Sequence, residues 1–299
     1  MALAYKTNGN FAPAAALVRT LLAGEERADL HRLLGDLEEQ LNYPLGAVHE
    51  YEQATRLDPS EPNYFDWGTE LLLHRAIQPA VEVLNKGARA HPQSARMLSA
   101  LGAALYASGA YEDAAQRVCA ASDLLPADPT PYLFLGQMEQ AAPHPLPCVE
   151  QKLARFVQDQ PANALANYHY ALTLWKRHQG TESPAGLQTV EASLEKAIAV
   201  NPRFDQAYLQ LGILYFAQGN LERATGAYQK AIELNPSLSE AHYRLGVAYR
   251  RVGNATRAAQ EFKAHDQIQK TESAVIDRQR REVRQFVIVL RSQPDTRPN

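Results

Sequence analysis

The sequence predicts an all-helical fold in which antiparallel helix pairs stack into a solenoid. Three observations support this prediction. The segments at residues 205–238 and 239–272 align without a gap, and each is 34 residues long. Gly68, Gly102 and Gly136 recur at the same interval of 34 residues. Apolar residues follow helical spacing inside each copy, and a period of this size is typical of stacked helical repeats.

The bulk composition narrows the function classes before any motif is considered. The chain has 299 residues, of which 45% are hydrophobic and 21% are charged, as in folded globular proteins. Its formal net charge of -3 disfavours nucleic acid as a partner, because phosphate backbones select basic surfaces. The sequence holds no uninterrupted apolar run of about 18 residues, so we predict no membrane span.

The N-terminus and the cysteines are the two sequence features that bear on the cellular compartment. Lys6 and Arg19 interrupt the apolar residues of the N-terminus, which therefore does not resemble a signal peptide. We take the cytoplasm as the default, with the periplasm as the alternative if an export signal has been removed. Cys119 and Cys148 are too few for a disulfide framework. We expect two small buried apolar residues, with a single disulfide as the alternative.

The two C-terminal copies share Leu-Gly, a tyrosine, Gly-Asn, an alanine and an aromatic residue at fixed positions. In the copy that starts at Asp205 the fuller repeat pattern consists of Tyr208, Leu211, Gly212, Tyr215, Ala224, Tyr228, Ala231 and Pro236. Residues 28–161 repeat the pattern more loosely, through glycine, alanine and proline. The pattern resembles the tetratricopeptide repeat family over roughly nine-tenths of the chain. The resemblance implies a right-handed superhelix of helix pairs, and the loose, alanine-rich copies suggest a bacterial origin.

The shared residues have physical roles that agree with this resemblance. Glycine and alanine at the recurrent small positions allow helix axes to approach to roughly 8–10 Å. The Gly-Asn pairs at Gly219 and Gly253 tolerate the left-handed conformation that ends a helix. Asn235 before Pro236 ends the second helix, because a residue that precedes proline avoids the helical region.

The copies divide the chain as follows. Residues 1–27 form a partial N-terminal repeat or cap, with a helix over 11–23. Residues 28–272 form about seven helix pairs, with an extra loop near 176–186. Residues 273–291 form a C-terminal capping helix with one apolar side, and residues 292–299 form a loose tail. We expect one elongated domain, since a single helix pair cannot bury its apolar face alone.

No residue pattern in the sequence indicates chemistry at a defined site. The nine histidines are scattered, and no two of them show the helical spacing of a metal pair. The sequence also has no glycine-rich phosphate loop and no nucleophile elbow. We therefore expect no catalytic residue, no metal and no cofactor, and we predict that the protein is not an enzyme.

The resemblance implies that the first helix of each pair lines a concave groove. In the family, certain positions of this first helix face the groove. In this sequence those positions include Phe65, Tyr106, Leu133, Tyr168, Trp175, Phe216, Tyr243 and Arg250. An apolar stripe with aromatic residues is what a docked peptide or helix would use. The alternative is that these residues are buried between repeats or against the terminal helix.

These observations predict a non-catalytic scaffold or adaptor that binds a protein or peptide partner in the groove. Two alternatives remain open at this stage. The chain could be a regulatory or accessory subunit of a separate enzyme, or of a secretion or assembly complex. It could also self-assemble into a homo-oligomer, if the half-repeat at residues 1–23 stacks on another copy.

Overall fold

The computed structural model describes residues 8–178, 184–270 and 275–292, in which regular secondary structure is entirely helical. Along these ranges the chain forms sixteen helices. They are α1 (Phe11–Leu22), α2 (Ala28–Gln40), α3 (Pro44–Leu57), α4 (Glu61–Leu73), α5 (Ile77–Ala90), α6 (Ala95–Ala107), α7 (Tyr111–Leu124), α8 (Pro129–Ala141), α9 (Val149–Asp159), α10 (Ala164–His178), α11 (Pro184–Val200), α12 (Asp205–Ala217), α13 (Leu221–Leu234), α14 (Ser239–Arg251), α15 (Ala255–Gln269) and α16 (Val275–Ser292). None of the described helices combines the length and apolar character needed to cross a bilayer.

The helices pack as a stack of pairs in each of two compact units. One unit contains Met1–Leu125 together with Gln279–Asn299, and the other contains Pro126–Arg278. Within a unit, the two helices of a pair pack on each other, and the second helix packs on the first helix of the next pair. First helices also contact one another, as α4 does α6 and α12 does α14. The predicted fold class, an all-α solenoid of stacked antiparallel helix pairs, is therefore correct.

The structure agrees with most of the predicted helix positions. The helix expected over residues 11–23 is α1, and residues 28–270 contain the seven expected pairs, α2 to α15. The loop predicted near 176–186 falls largely on residues outside the described ranges, between the end of α10 at His178 and the start of α11 at Pro184. Residues 179–183 and the tail beyond residue 292 lie outside the described residues. The terminal helix is α16, whose position is described below.

The close approach of paired helices depends on glycines that face the partner helix. A Cβ atom added to Gly212 in α12 would lie 2.4 Å from the ring of Tyr228 in α13. The equivalent Cβ at Gly246 would lie 2.7 Å from Phe262. These distances are far below van der Waals contact, so the missing side chain is what allows the aromatic ring to pack there.

The turns between the paired helices follow the Gly-Asn prediction. Gly219 and Gly253 adopt φ values of +77° and +81°, in the left-handed region that favours glycine. The next residue, Asn220 or Asn254, accepts a hydrogen bond on its side chain from a backbone N–H of the first helical turn, at 3.1 Å in both repeats. The side chain thereby satisfies a donor that the helix leaves unpaired.

The two cysteines differ from the expectation of buried free thiols. Cys119 and Cys148 are both disulfide-bonded, and the chain has no free cysteine.

The contact between Gly212 and Tyr228 can be tested by a substitution that adds a single methyl group. We expect Gly212→Ala to lower the free energy of unfolding by about 1–3 kcal/mol, because the added Cβ overpacks the contact with Tyr228. Gly226 in α13 is the matched control, since nothing lies within 4 Å of a Cβ built there. Gly226→Ala should raise stability by up to about 1 kcal/mol through helix propensity. Urea unfolding of both variants measures the difference, and equal effects would contradict the packing argument.

Candidate functional site

The family resemblance assigns inward positions to each first helix, and some first helices contact one another within each unit, as α4 does α6 and α8 does α10. We call the inward positions of α2, α4 and α6 the N-terminal inner face. We call those of α8, α10, α12 and α14 the C-terminal inner face. The predicted residues divide between them: Phe65 and Tyr106 belong to the first face, and Leu133, Tyr168, Trp175, Phe216, Tyr243 and Arg250 belong to the second.

The C-terminal inner face presents aromatic side chains that are only partly covered. Tyr168, Trp175 and Phe216 are half-buried and pack with one side against the hydrophobic core of their unit. Leu133 is also half-buried. Tyr243 is 41% exposed. This face therefore combines fixed aromatic rings with apolar surface that remains open.

Aromatic and basic groups lie next to one another along the C-terminal inner face. The Tyr168 ring lies 4.9 Å from the ring of Phe204, and the Tyr243 ring lies 5.9 Å from that of Phe262. The Arg251 guanidinium lies 5.1 Å from the centre of the Phe216 ring, within the range of a cation–π contact. These contacts hold the ring orientations and place positive charge beside them.

Lys176, the neighbour of Trp175, has a structural role in this face. Its ammonium group donates to the backbone carbonyls of Glu139 and, at 2.7 Å, Ala142, where α8 ends. Burial lowers the pKa of Lys176. The buried Glu139 side chain accepts a hydrogen bond at 2.8 Å from the backbone N–H of Leu146, and burial raises the pKa of this carboxyl. Lys176 and Glu139 thus fix the segment that follows α8, rather than offering charge to a partner.

The N-terminal inner face differs because its predicted residues are covered. Phe65 and Tyr106 are both fully buried. The Arg96 guanidinium lies 3.7 Å from the centre of the Phe65 ring. The Tyr106 hydroxyl donates a long hydrogen bond of 3.4 Å to Glu282, which belongs to α16. The face is therefore occupied by a segment of the same chain, which was the alternative left open by the sequence.

Helix α16 contacts the N-terminal inner face through Glu282 and Arg291, and one apolar side of the helix is buried. Val283, Phe286, Val287 and Leu290 are buried, at the spacing of one helix face. Fully burying such a side chain contributes about 1.5–3 kcal/mol before the cost of ordering it is counted. The sequence predicted this apolar side, but it assigned the helix to the end of the stack as a cap. The described contacts of α16 instead lie against residues of α2, α4 and α6.

Arg291 anchors the C-terminal end of α16 in a group of carboxylates. Its guanidinium lies 2.9 Å from Glu39 and 3.2 Å from Glu70, and it donates at 3.0 Å to the hydroxyl of Thr69. Only 16% of the Arg291 side chain remains exposed, and Glu70 is fully buried. A buried carboxylate needs such a partner, since removing one member of a buried pair typically costs about 3–5 kcal/mol.

The surrounding acids have raised pKa values that burial explains. Burial raises the pKa of Asp66 and of Glu70, and the positive charges of Arg32 and Arg291 respectively act against this increase. Arg32 contacts Asp66 at 2.5 Å. The N-terminal inner face is thus acidic, and cations from α2 and from α16 neutralise it.

Part of this face was missed by the sequence analysis. Arg32, Asp36, Glu39 and Gln40 of α2 line a recess of about 530 Å³ beside α16. They occupy the inward positions of the copy that starts at Ala28, counted with the same 34-residue register. Applying that register to the first copy would have found them. Their contact with α16 carries no sequence signal, because residues 39 and 291 lie far apart in the chain.

Three histidines of the described residues make contacts within or between repeats. His31 lies 2.6 Å from Glu50, and His242 lies 2.7 Å from Glu261, at equivalent positions of two copies. His169 packs against Gly136, where an added Cβ would lie 2.3 Å from its ring. Among the described residues no group of three or more histidine, cysteine, aspartate or glutamate side chains is placed to hold a metal.

Comparison with known families agrees with this architecture. Tetratricopeptide repeat models match residues 1–62, 65–129 and 193–225, and a further TPR repeat model matches 214–253. Together the matches span more than half of the chain. The chain belongs to the tetratricopeptide repeat family. Members of this repeat class build extended concave surfaces that serve as protein-interaction scaffolds. No curated protein matches the chain by sequence.

Solved structures with a similar fold include three with long overlap. The C-terminal part of a TPR repeat-containing protein from Cytophaga hutchinsonii is 14% identical, with a TM-score of 0.63; the match covers 82% of this chain and 98% of that one. A tetratricopeptide repeat protein from Parabacteroides merdae is 15% identical, with a TM-score of 0.59 and coverage of 87% and 98%. Yeast Tom70 is 16% identical, with a TM-score of 0.51 and coverage of 94% and 58%. At these identities the likeness shows the fold alone.

The buried Glu139 gives a prediction about pH. Because its pKa is raised in the folded state, the native protein holds this proton more tightly than the unfolded chain does. The wild type should therefore gain stability from this group as the pH falls through the raised pKa. Glu139→Gln keeps an acceptor for the Leu146 N–H and removes the charge, so it should remove this gain. Its advantage over the wild type should be largest at about pH 8 and shrink towards about pH 5.

Urea unfolding of both proteins across this pH range provides the measurement. Glu222→Gln, at an exposed position of α13, is the control and should keep the pH dependence of the wild type. Parallel stability curves for the wild type and Glu139→Gln would contradict the assignment.

Proposed function

We propose that the chain is a non-catalytic protein-interaction scaffold or adaptor that binds an extended peptide or a partner helix on its C-terminal inner face. One observation carries this proposal. Trp175 and Phe216 occupy inward positions of two successive pairs, on α10 and α12, and both keep part of their rings exposed. Large aromatic residues in such positions are frequent anchors of protein interfaces.

The packing of these rings supports a binding role over a purely structural one. Each ring rests with one side on the hydrophobic core, so its orientation is fixed before a partner arrives. Little side-chain entropy is then lost on binding, which leaves more of the contact energy for affinity. The exposed part of the Trp175 ring is available for an apolar side chain of the partner, whereas the Phe216 ring offers its apolar edge beside the Arg251 guanidinium.

The charges at the end of this face indicate the chemistry of the partner. Arg250 and Arg251 are exposed near the end of α14, whereas Arg244 is paired with Glu240 at 2.7 Å. Positive charge next to aromatic anchors favours a segment that carries acidic residues beside its apolar ones. We expect such a peptide to associate more weakly as salt is added, because exposed charges are screened.

The proposal predicts the effect of removing both anchors. Peptides can be selected from a random library on the wild-type protein and their affinities measured by fluorescence anisotropy. The double variant Trp175→Ala/Phe216→Ala should bind these peptides at least about tenfold more weakly, since each lost aromatic anchor typically costs 1 kcal/mol or more.

A matched double variant separates this effect from a general loss of apolar surface. Val200 and Val252 are 42% and 54% exposed and lie outside the inward positions. Val200→Ala/Val252→Ala should bind like the wild type, and circular dichroism should show both variants folded. Unchanged affinity in a folded Trp175→Ala/Phe216→Ala variant would disprove the proposed site.

A further inference from the structure

Helix α16 lies on the N-terminal inner face in the way that an amphipathic helix lies in a binding groove. Its buried residues Val283, Phe286, Val287 and Leu290 follow the i, i+3, i+4, i+7 pattern of helix-in-groove recognition. The side away from the groove is polar or exposed: Arg281 and Arg284 are exposed, and Val289 is 44% exposed. All the described apolar burial of α16 is therefore on one side of the helix, between its contacts at Glu282 and Arg291.

The polar contacts of α16 show that the groove also binds a positively charged side chain at the end of the helix. Arg291 directly follows the last buried leucine and meets two carboxylates, Glu39 and Glu70, that come from different helices, α2 and α4. Thr69 adds a hydroxyl acceptor at 3.0 Å. A planar guanidinium satisfies this arrangement better than an ammonium group would, because its donors are fixed in a fork. The groove therefore selects an apolar helix side that ends in arginine.

The fit between α16 and the groove is incomplete. A recess of about 530 Å³ remains, lined by Ile288 and Arg291 of α16 and by polar side chains such as Asp36 and Gln40 of α2. Ile288 is 51% exposed at its rim. A bound helix with longer or more polar side chains on this edge would fill space that α16 leaves open. The groove thus has room for a helix that fits it better than α16 does.

We propose that the N-terminal inner face is a receptor for an amphipathic partner helix whose apolar side ends in arginine, and that α16 is an internal ligand which such a partner displaces. This receptor is separate from the C-terminal inner face and does not rest on the function proposed for that face. Because α16 belongs to the same chain, it competes at a high effective concentration. A partner must therefore exceed the affinity of α16, which keeps the receptor closed to weak ligands.

A labelled peptide with the sequence of residues 275–292 tests the proposal on the full-length chain. The double variant Phe286→Ala/Leu290→Ala weakens the internal helix and should expose the receptor. We expect this variant to bind the peptide at least about tenfold more tightly than the wild type does, because the internal competitor is weakened. The control Arg284→Ala/Val289→Ala changes the exposed side of the same helix and should bind the peptide like the wild type.

The peptide itself provides a second comparison. A peptide with Arg291→Glu should bind the Phe286→Ala/Leu290→Ala variant at least about tenfold more weakly, since it places a carboxylate beside Glu39 and Glu70. Equal binding of both peptides would overturn the arginine requirement. A folded variant that binds neither peptide would overturn the receptor.

Hydrogen exchange of the wild type covers the case in which the double variant fails to fold. With the peptide at about 1 mM, comparable to the effective concentration of an attached segment, the α16 amides should exchange faster while those of α4 and α6 stay slow. Unchanged exchange would contradict displacement. Light scattering measures the oligomeric state, and a monomer agrees with the proposal. A wild-type dimer that dissociates in the Phe286→Ala/Leu290→Ala variant would show that α16 of a second copy occupies the groove. That result would overturn the assignment of a partner helix.

Discussion

The structure depends on the close approach of the two helices of a pair, and in five of the seven described pairs this approach depends on a glycine that lacks a side chain. At Gly212 the ring of Tyr228 occupies the space that a Cβ would need, and Gly35, Gly68 and Gly102 have equivalent contacts. Close pairs expose one continuous apolar edge, which only the next pair can cover. Stacking follows from this edge, and stacking aligns the first helices so that their inward residues form a face.

The two inner faces share this origin and differ in what covers them. On the C-terminal face the aromatic rings of Trp175 and Phe216 rest on the core and stay partly exposed. On the N-terminal face Phe65 and Tyr106 are fully buried, and α16 supplies both apolar contacts and the charge of Arg291. The acids of this face explain the difference in part, because desolvated carboxylates such as Glu70 require a cation close by. The C-terminal inner face is therefore partly open, whereas the N-terminal inner face is already occupied by α16.

The structural features that repeat could be predicted from the sequence, whereas those that occur once could not. The 34-residue register predicted the helix pairs, the glycine contacts and the left-handed turns at Gly219 and Gly253, because each of these recurs at a fixed interval. The apolar side of α16 was also predicted, since helical spacing is a local signal. Its binding place was not, because the contact between Arg291 and Glu39 joins distant residues that no periodic pattern relates. The role of Lys176 was missed for the same reason: its acceptors are backbone carbonyls, which any sequence provides.

The most direct test of this account is a double-mutant cycle between Arg291 and Glu70. Urea unfolding of the wild type, Arg291→Met, Glu70→Gln and the double variant gives the energy that couples the two side chains. We expect a stabilising coupling of about 1–3 kcal/mol, because the Glu70 carboxylate is fully buried beside the guanidinium. Additive effects, with a coupling energy near zero, would mean that α16 does not bind this face in solution.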